Sequence, residues 1–109
     1  EDEDLVARSA HLGEYAMQRL KAEMGDLSIV GAIRGRGLLL GIEIVDDALE
    51  KVPGRECAER IYYSCLSSGL SFKISQGCVL TLSPPLTIGR EDLDKALAII
   101  ENAIRDEAG

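Results

Sequence analysis

Two arginines alternate with two glycines in the segment Arg34-Gly35-Arg36-Gly37, which has the clearest capacity for chemistry in the sequence. Two guanidinium groups beside exposed backbone N–H groups would hold a phosphate or a carboxylate through charge-assisted hydrogen bonds. The same segment fits a tight hairpin turn with solvated arginines, because glycine tolerates positive φ. We favour the turn. The glycine spacing differs from the dinucleotide-binding fingerprint, which leads into a helix.

Other reactive groups are scarce. His11 is the one histidine, and no serine or cysteine can be paired with it by spacing, so a hydrolytic triad has no support. None of the four lysines has the surroundings expected of a Schiff-base amine: Lys21, Lys51, Lys73 and Lys95. We therefore do not expect the chain alone to be a complete enzyme.

The cysteines Cys57, Cys65 and Cys78 are predicted to be buried, reduced thiols. Their number is odd, and no CxxC spacing occurs. Cys57 and Cys65 lie on one predicted helix, about 12 Å apart along its axis, which is too far for a disulfide. One histidine and scattered cysteines offer too few ligands for zinc, so no metal is expected. Reduced thiols indicate a cytoplasmic protein.

Composition excludes several classes of function. Acidic residues outnumber basic ones by 19 to 12, which gives a net charge of −7 over 109 residues. This surface repels phosphate backbones, and aromatic residues make up only 4%, so nucleic-acid binding is not expected. No run of about 18 uncharged apolar residues occurs, so no membrane span is expected. The acidic first residues differ from the basic start of a signal peptide.

Hydrophobic periodicity predicts seven elements. Apolar residues at three- and four-residue steps predict helices over 3–24, 55–68 and from about 89 onward. Apolar and β-branched runs predict strands over 27–33, 38–45, 70–74 and 78–83. The order α-β-β-α-β-β-α predicts a single α+β domain over residues 1–109, in which helices pack on a small, mainly antiparallel sheet.

Finer expectations concern the helix faces and the connections. Residues 46–54 are predicted to form a polar loop, Gly69 to follow the second helix as its C′ residue, and Pro84-Pro85 to end the last strand. The predicted inner faces of the helices are Leu5, Leu12, Ala16 and Leu20; Ala58, Ile61, Tyr62, Cys65 and Leu66; and Leu93, Ala96, Leu97, Ile100 and Ile104.

Three stretches in this order support a family resemblance: RGRGLLLGIE at 34–43, the end of the middle helix at 65–70, and LSPPLTI at 82–88 with the helix after it. Together they resemble the C-terminal small domain of class III (fold type I) aminotransferases. These pyridoxal-phosphate enzymes include 4-aminobutyrate aminotransferases and dialkylglycine decarboxylase. The resemblance covers nearly the whole chain.

The resemblance implies a larger protein. In this family a large domain carries the Schiff-base lysine and the pyridoxal 5′-phosphate site, and the enzymes are homodimers with active sites at the subunit interface. The whole protein would move an amino group from an amine or amino acid to a 2-oxo acid. The 109 residues would close one wall of the substrate site. Without the large domain they are expected to bind no cofactor and to be inactive.

The resemblance singles out Thr81 as a substrate-binding position. Many members have an arginine there, two residues before the serine or alanine of the PPL motif, and it pairs with the substrate's carboxylate. A threonine hydroxyl cannot form a bidentate, charge-assisted clamp. The enzyme would then accept amines without that carboxylate or bind it elsewhere, unless Thr81 is an ordinary strand residue. We do not transfer the role to Arg34 or Arg36.

An alternative function remains open. The strand–helix alternation alone also permits a stand-alone α+β module that senses a small ligand or dimerises without catalysis.

Overall fold

A computed structural model describes residues 2–47, 52–84 and 87–108. Helix α1 spans Asp2–Met24, α2 spans Arg55–Ser67 and α3 spans Arg90–Ala108. The strands are β1 (Val30–Arg36), β2 (Leu39–Asp47), β3 (Val52–Pro53), β4 (Lys73–Ser75) and β5 (Val79–Leu82). The predicted α+β class and element order are confirmed. None of the described helices has the length and apolarity that crossing a bilayer requires.

The sheet is antiparallel throughout, with the order β1-β2-β5-β4, and β3 pairs with the end of β2. The central position of β2 agrees with its apolar sequence. Strand β3 was not predicted, because a strand of two residues that includes Pro53 is too short to show an alternating pattern. Its pairing of Val45 with Pro53 and of Asp47 with Val52 corrects part of the predicted polar loop at 46–54. Residues 48–51 of that loop lie outside the described residues.

The hairpin between β1 and β2 turns later than predicted. Arg36 pairs with Leu39, so the turn consists of Gly37 and Leu38, and Arg34, Gly35 and Arg36 belong to β1. Gly37 has a φ of +58°, which favours glycine. Gly35 has a different role: a Cβ there would lie 2.7 Å from Sδ of Met17 in α1, so the methionine side chain would have to shift. The two glycines thus serve a turn and a helix–strand contact respectively.

The three helices cover one face of the sheet and form a single core with it. On β2 and β5, Leu40, Ile42 and Leu80 are fully buried against the helices. The alternate positions point to the other side. We call this side the open face. Its described side chains on β1, β2, β4 and β5 include Ala32, Arg34, Arg36, Leu39, Glu43, Lys73, Ser75, Val79 and Thr81, with Gly41 between them, and Val45 of the same alternation is buried at 1% exposure.

The helix faces follow the predictions with few exceptions. Leu12, Ala16 and Leu20 of α1 are buried, and so are the predicted residues of α3 except the half-buried Ala96. The side chain of Leu5 lies outside those described. On α2, Ala58, Ile61 and Cys65 are buried as predicted, but Leu66 is 45% exposed and Tyr62 only half-buried. The inside placement of Leu66 is wrong, because Leu66 lies in the last turn of α2, at the edge of the core.

Helix α2 ends in a Schellman motif. The N–H of Gly69 donates to the carbonyl of Leu66, and the N–H of Leu70 donates to that of Cys65, at 3.0 and 2.9 Å. Gly69 has a φ of +92°, so it is the predicted C′ residue.

Pro84 follows β5, as predicted; Pro85 lies outside the described residues.

All three cysteines are buried, as predicted, and each is present as a thiol. Burial raises the pKa of the Cys65 thiol to about 11, because the thiolate would lose its hydration there. Since the thiolate is the nucleophile, this side chain is structural rather than reactive.

A buried ion pair joins α1 to α3. Arg19 donates from Nε and Nη2 to the two carboxylate oxygens of Glu101, both at 3.0 Å, and from Nη1 to Asp94 at 3.0 Å. Glu101 is only 3% exposed, and its hydrogen bonds raise the pKa of Arg19 further above its ordinary value. Tyr15 also donates to Asp94. The pair satisfies a carboxylate that burial would otherwise penalise heavily.

We expect Glu101→Gln to lower the free energy of unfolding by about 1–3 kcal/mol, because it removes the bidentate partner of a partly buried guanidinium. Chemical denaturation measures the change. The control is Arg105→Gln, which breaks the exposed pair with Glu23 and should cost less than about 1 kcal/mol. Equal losses in the two variants would contradict a special role for the buried pair.

Gly13 allows the β1–β2 hairpin to contact α1. An ideal Cβ on Gly13 would lie 1.8 Å from the carbonyl oxygen of Gly37. No side chain fits at that distance, so the backbones of the helix and the turn are in direct contact.

Gly13→Ala should therefore destabilise the fold by about 1–3 kcal/mol through overpacking, although alanine at a helix interior normally stabilises by about 1 kcal/mol. Thermal and chemical unfolding measure the net effect. In the control Gly89→Ala, the added Cβ meets nothing within 4 Å, so little change is expected. An unchanged or raised stability of Gly13→Ala would show that the contact relaxes freely.

Candidate functional site

Four residues form a row across the open face. Lys73 of β4 pairs with Thr81 of β5, Thr81 pairs with Gly41 of β2, and Gly41 pairs with Arg34 of β1. Directly paired residues of an antiparallel sheet project to the same side. The structure therefore brings Thr81, Lys73 and Arg34 to one face, although they come from three separate parts of the sequence.

A groove of about 340 Å³ lies over the β1–β2–β5 part of this row. Gly41 forms its floor, because it has no side chain between Arg34 and Thr81. A Cβ at Gly41 would come no closer than 3.6 Å to its nearest neighbour, Cγ1 of Val79, so the space above it is open. The residues lining the groove are Arg34, Gly35, Arg36, Leu39, Leu40, Gly41 and Thr81.

Thr81 lies between this groove and a second, more apolar cavity of about 400 Å³. Phe72, Leu82, Ile88 and Leu93 contribute apolar surface to the second cavity, and Lys73 also lines it. Thr81 is half-buried, and its Oγ1 lies 3.0 Å from Oγ of Ser75 in a hydrogen bond. Ser75 thus orients the hydroxyl of Thr81. The substrate-binding role of Thr81 stays a prediction, but its place on the open face is compatible with one.

Positive charge is concentrated on the open face. Arg34, Arg36 and Lys73 are all exposed, and none of them forms an ion pair with another residue that the structure describes. Glu43, paired with Ala32, is the carboxylate on the described part of this face. Among the side chains that the structure describes, the open face therefore carries three cations and one carboxylate, in a protein whose net charge is −7. This distribution favours anionic ligands.

Sequence reasoning missed two residues of this face. Arg34 was assigned to a solvated turn, and Ser75 was not singled out. The signal for Arg34 was present: two arginines separated by one residue have the two-residue period of a strand, which places both on one face. No local signal identifies Ser75, because its contact with Thr81 depends on the β4–β5 register.

The remaining candidates are dispersed. His11 is exposed on α1, away from the row. Lys21 and Lys95 are exposed on α1 and α3, and Lys51 lies outside the described residues. No group of histidine, cysteine and carboxylate side chains in the described part of the chain is arranged to hold a metal ion.

The comparisons with known proteins agree with this architecture. The sequence profile of class-III aminotransferases matches residues 1–104. The chain belongs to the class-III aminotransferase family. This confirms the resemblance drawn from RGRGLLLGIE and LSPPLTI.

Individual relatives show the same relationship. The chain is 41% identical to an (R)-1-hydroxy-2-aminoethylphosphonate ammonia-lyase of Vibrio splendidus, over 95% of the chain and 22% of the lyase. It is 37% identical to an ornithine aminotransferase of Bacillus subtilis, over 97% of the chain and 23% of that enzyme. An aminotransferase structure from Bacillus anthracis superposes with a TM-score of 0.88 and 34% identity, over 96% of the chain and 25% of that structure. The chain thus spans about a quarter of the length of these class-III relatives.

The hydrogen bond between Thr81 and Ser75 can be tested by a double-mutant cycle. Thr81→Val and Ser75→Ala each remove one hydroxyl and should each lower the free energy of unfolding by about 0.5–1.5 kcal/mol. The double variant should lose less than the sum, because the second change has no bond left to break. Strict additivity would show that the two hydroxyls are energetically independent.

Proposed function

We propose that these 109 residues are the C-terminal small domain of a pyridoxal-phosphate-dependent aminotransferase that transfers an amino group from an amine or amino acid to a 2-oxo acid. The observation that carries the proposal is the class-III family match over residues 1–104. Class-III aminotransferases use pyridoxal phosphate, which supplies an electron sink for chemistry at the substrate's amine-bearing carbon. The open face would form one wall of the substrate site.

The described residues of this chain do not fit the cofactor by themselves. A lysine that binds the cofactor's aldehyde needs a desolvated or charge-tuned setting, whereas Lys21, Lys73 and Lys95 are exposed. We assign the cofactor site to a large domain elsewhere in the whole protein, with a second subunit completing a homodimer. The relatives' length, about four times that of this chain, supports the assignment.

The open face is suited to meet that large domain. Leu39 is 53% exposed there, beside the groove, and the cations of the face lack partners among the described residues. A partner surface that covered this face would bury the apolar side chain of Leu39 and could pair these charges. The reduced thiols support a cytoplasmic location.

A second candidate is a lyase that releases ammonia. It is favoured by the 41% identity to an ammonia-lyase. The two reactions differ in one requirement: amino transfer needs a 2-oxo acid acceptor, whereas elimination does not. Product analysis with and without the acceptor separates them.

Borohydride trapping tests the proposal. The 109-residue chain mixed with pyridoxal phosphate and reduced should carry no stoichiometric pyridoxyl group on any lysine, as mass spectrometry would show. The whole protein should carry one per subunit, on a lysine outside residues 1–109, and should transfer an amino group to a 2-oxo acid. Specific labelling of Lys21, Lys51, Lys73 or Lys95 would refute the division of roles. A whole protein that binds no cofactor would instead indicate a non-catalytic ligand-sensing or dimerisation module.

A further inference from the structure

We propose that Arg34 binds the anionic group of the substrate, in the groove over Gly41, with the Thr81 hydroxyl as a second, neutral ligand. The inference rests on the proposed function and specifies it: Arg34 and Thr81 are the residues that hold the carboxylate or phospho group of the substrate. In the family resemblance, the clamp is an arginine at the position of Thr81. Here the guanidinium comes from β1, two strands away, which revises the sequence-based expectation that neither Arg34 nor Arg36 takes this role.

The register makes this geometry possible. Arg34 and Thr81 are both paired directly with Gly41. Their Cα atoms therefore lie about two strand spacings apart, roughly 10 Å. A long arginine side chain can extend over the glycine floor toward the hydroxyl. An anion between them would receive two N–H donors from Arg34 and one O–H from Thr81, which matches bidentate recognition of carboxylate or phosphate.

Arg34 has its donors available, unlike several other arginines. Arg19, Arg60 and Arg105 each pair with carboxylates within the chain. Arg34 forms no such pair with any described residue. An unpaired guanidinium lining a groove, in a chain of net charge −7, is the feature that an anion site requires.

Neighbouring charges adjust the strength of the site. Arg36 pairs with Leu39, two residues nearer the turn than Arg34, so it adds positive potential at the rim rather than facing Gly41. Lys73 adds a charge on the far side of Thr81. Glu43 acts against them, since it lines a small cavity with Arg34, Gly41 and Val79. Its negative charge lies near the proposed site and should weaken anion binding there.

The first test uses NMR titration of the 109-residue chain with inorganic phosphate and, separately, acetate. Chemical shifts of Arg34 Nε–Hε and of the Gly41 and Thr81 amides should move with a common affinity, and the stronger ligand identifies phospho or carboxylate chemistry. Arg34→Gln should weaken binding by about 10-fold or more. Glu43→Gln should strengthen it.

Arg60→Gln is the matched control, because it changes the net charge equally at an exposed site whose partner is Glu107. It should leave binding within about twofold, as expected for a distant exposed charge that salt screens. If Arg34→Gln binds both anions as the unmodified chain does, or if Arg60→Gln loses as much, the site is overturned.

A second test fills the groove without changing charge. Gly41→Leu places a side chain between Arg34 and Thr81 and should abolish the shift changes. Gly41→Ala is the milder version, since its Cβ fits at 3.6 Å from Val79, and it should weaken binding even if Gly41→Leu fails to fold. Unaltered binding in the folded variants would place the anion elsewhere.

Steady-state kinetics of the whole protein separate this inference from the proposed function. For an amine with an anionic group, Arg34→Gln should raise KM by about 10–100-fold; for a neutral amine of the same size, KM should be nearly unchanged. Arg34→Lys keeps the positive charge but loses the bidentate hydrogen bonding of the guanidinium. Its KM for the anionic amine should lie between those of the unmodified protein and Arg34→Gln. If the whole protein turns over amines and Arg34→Gln raises KM equally for the anionic and the neutral amine, the Arg34 site is refuted and the proposed function stands. If the whole protein has no cofactor-dependent turnover, the proposed function is refuted, and the anion titration alone tests the Arg34 site.

Discussion

One-sided burial of the sheet is the constraint on which the rest of the structure depends. Leu40, Ile42 and Leu80 are fully buried under the helices, so the intervening Gly41 and Thr81 must point to the open face. A strand has a two-residue period, and a slip of one residue would exchange the two faces. Core packing therefore decides which side chains line the candidate site, before any ligand is considered.

The helices hold that arrangement in place through two unusual contacts. The buried pair of Arg19 and Glu101 ties α1 to α3, and the contact of Gly13 with Gly37 seats the β1–β2 hairpin on α1. Since β1 carries Arg34, the packing of the hairpin on α1 also fixes the position of the Arg34 backbone, from which the guanidinium extends. A binding group positioned by packed elements is held more precisely than one on a free loop. The candidate site thus depends on contacts made on the opposite side of the sheet.

Sequence patterns predicted the seven main elements because each has a strong local signal. The stripe through Leu12, Ala16 and Leu20 is readable at a helical period, and Gly69 marks the end of α2. Errors occurred where local signals were ambiguous. Glycine in a turn and glycine at a close contact look alike in sequence, so the hairpin turn was placed early and Arg34 was assigned to solvent. Leu66 is apolar at a helical step, but the core ends before it.

The sequence by itself determined the α+β class, the antiparallel hairpins, the buried cysteines and the family, because periodicity, composition and motif order are local or linear properties. Only the tertiary structure decided which residues meet. The row of Arg34, Gly41, Thr81 and Lys73 joins positions up to 47 residues apart through strand register, and register follows from the burial of the opposite face. The hydroxyl contact of Ser75 with Thr81 has the same origin. Chemistry that spans four strands is a property of their pairing, and no single stretch of the chain contains it.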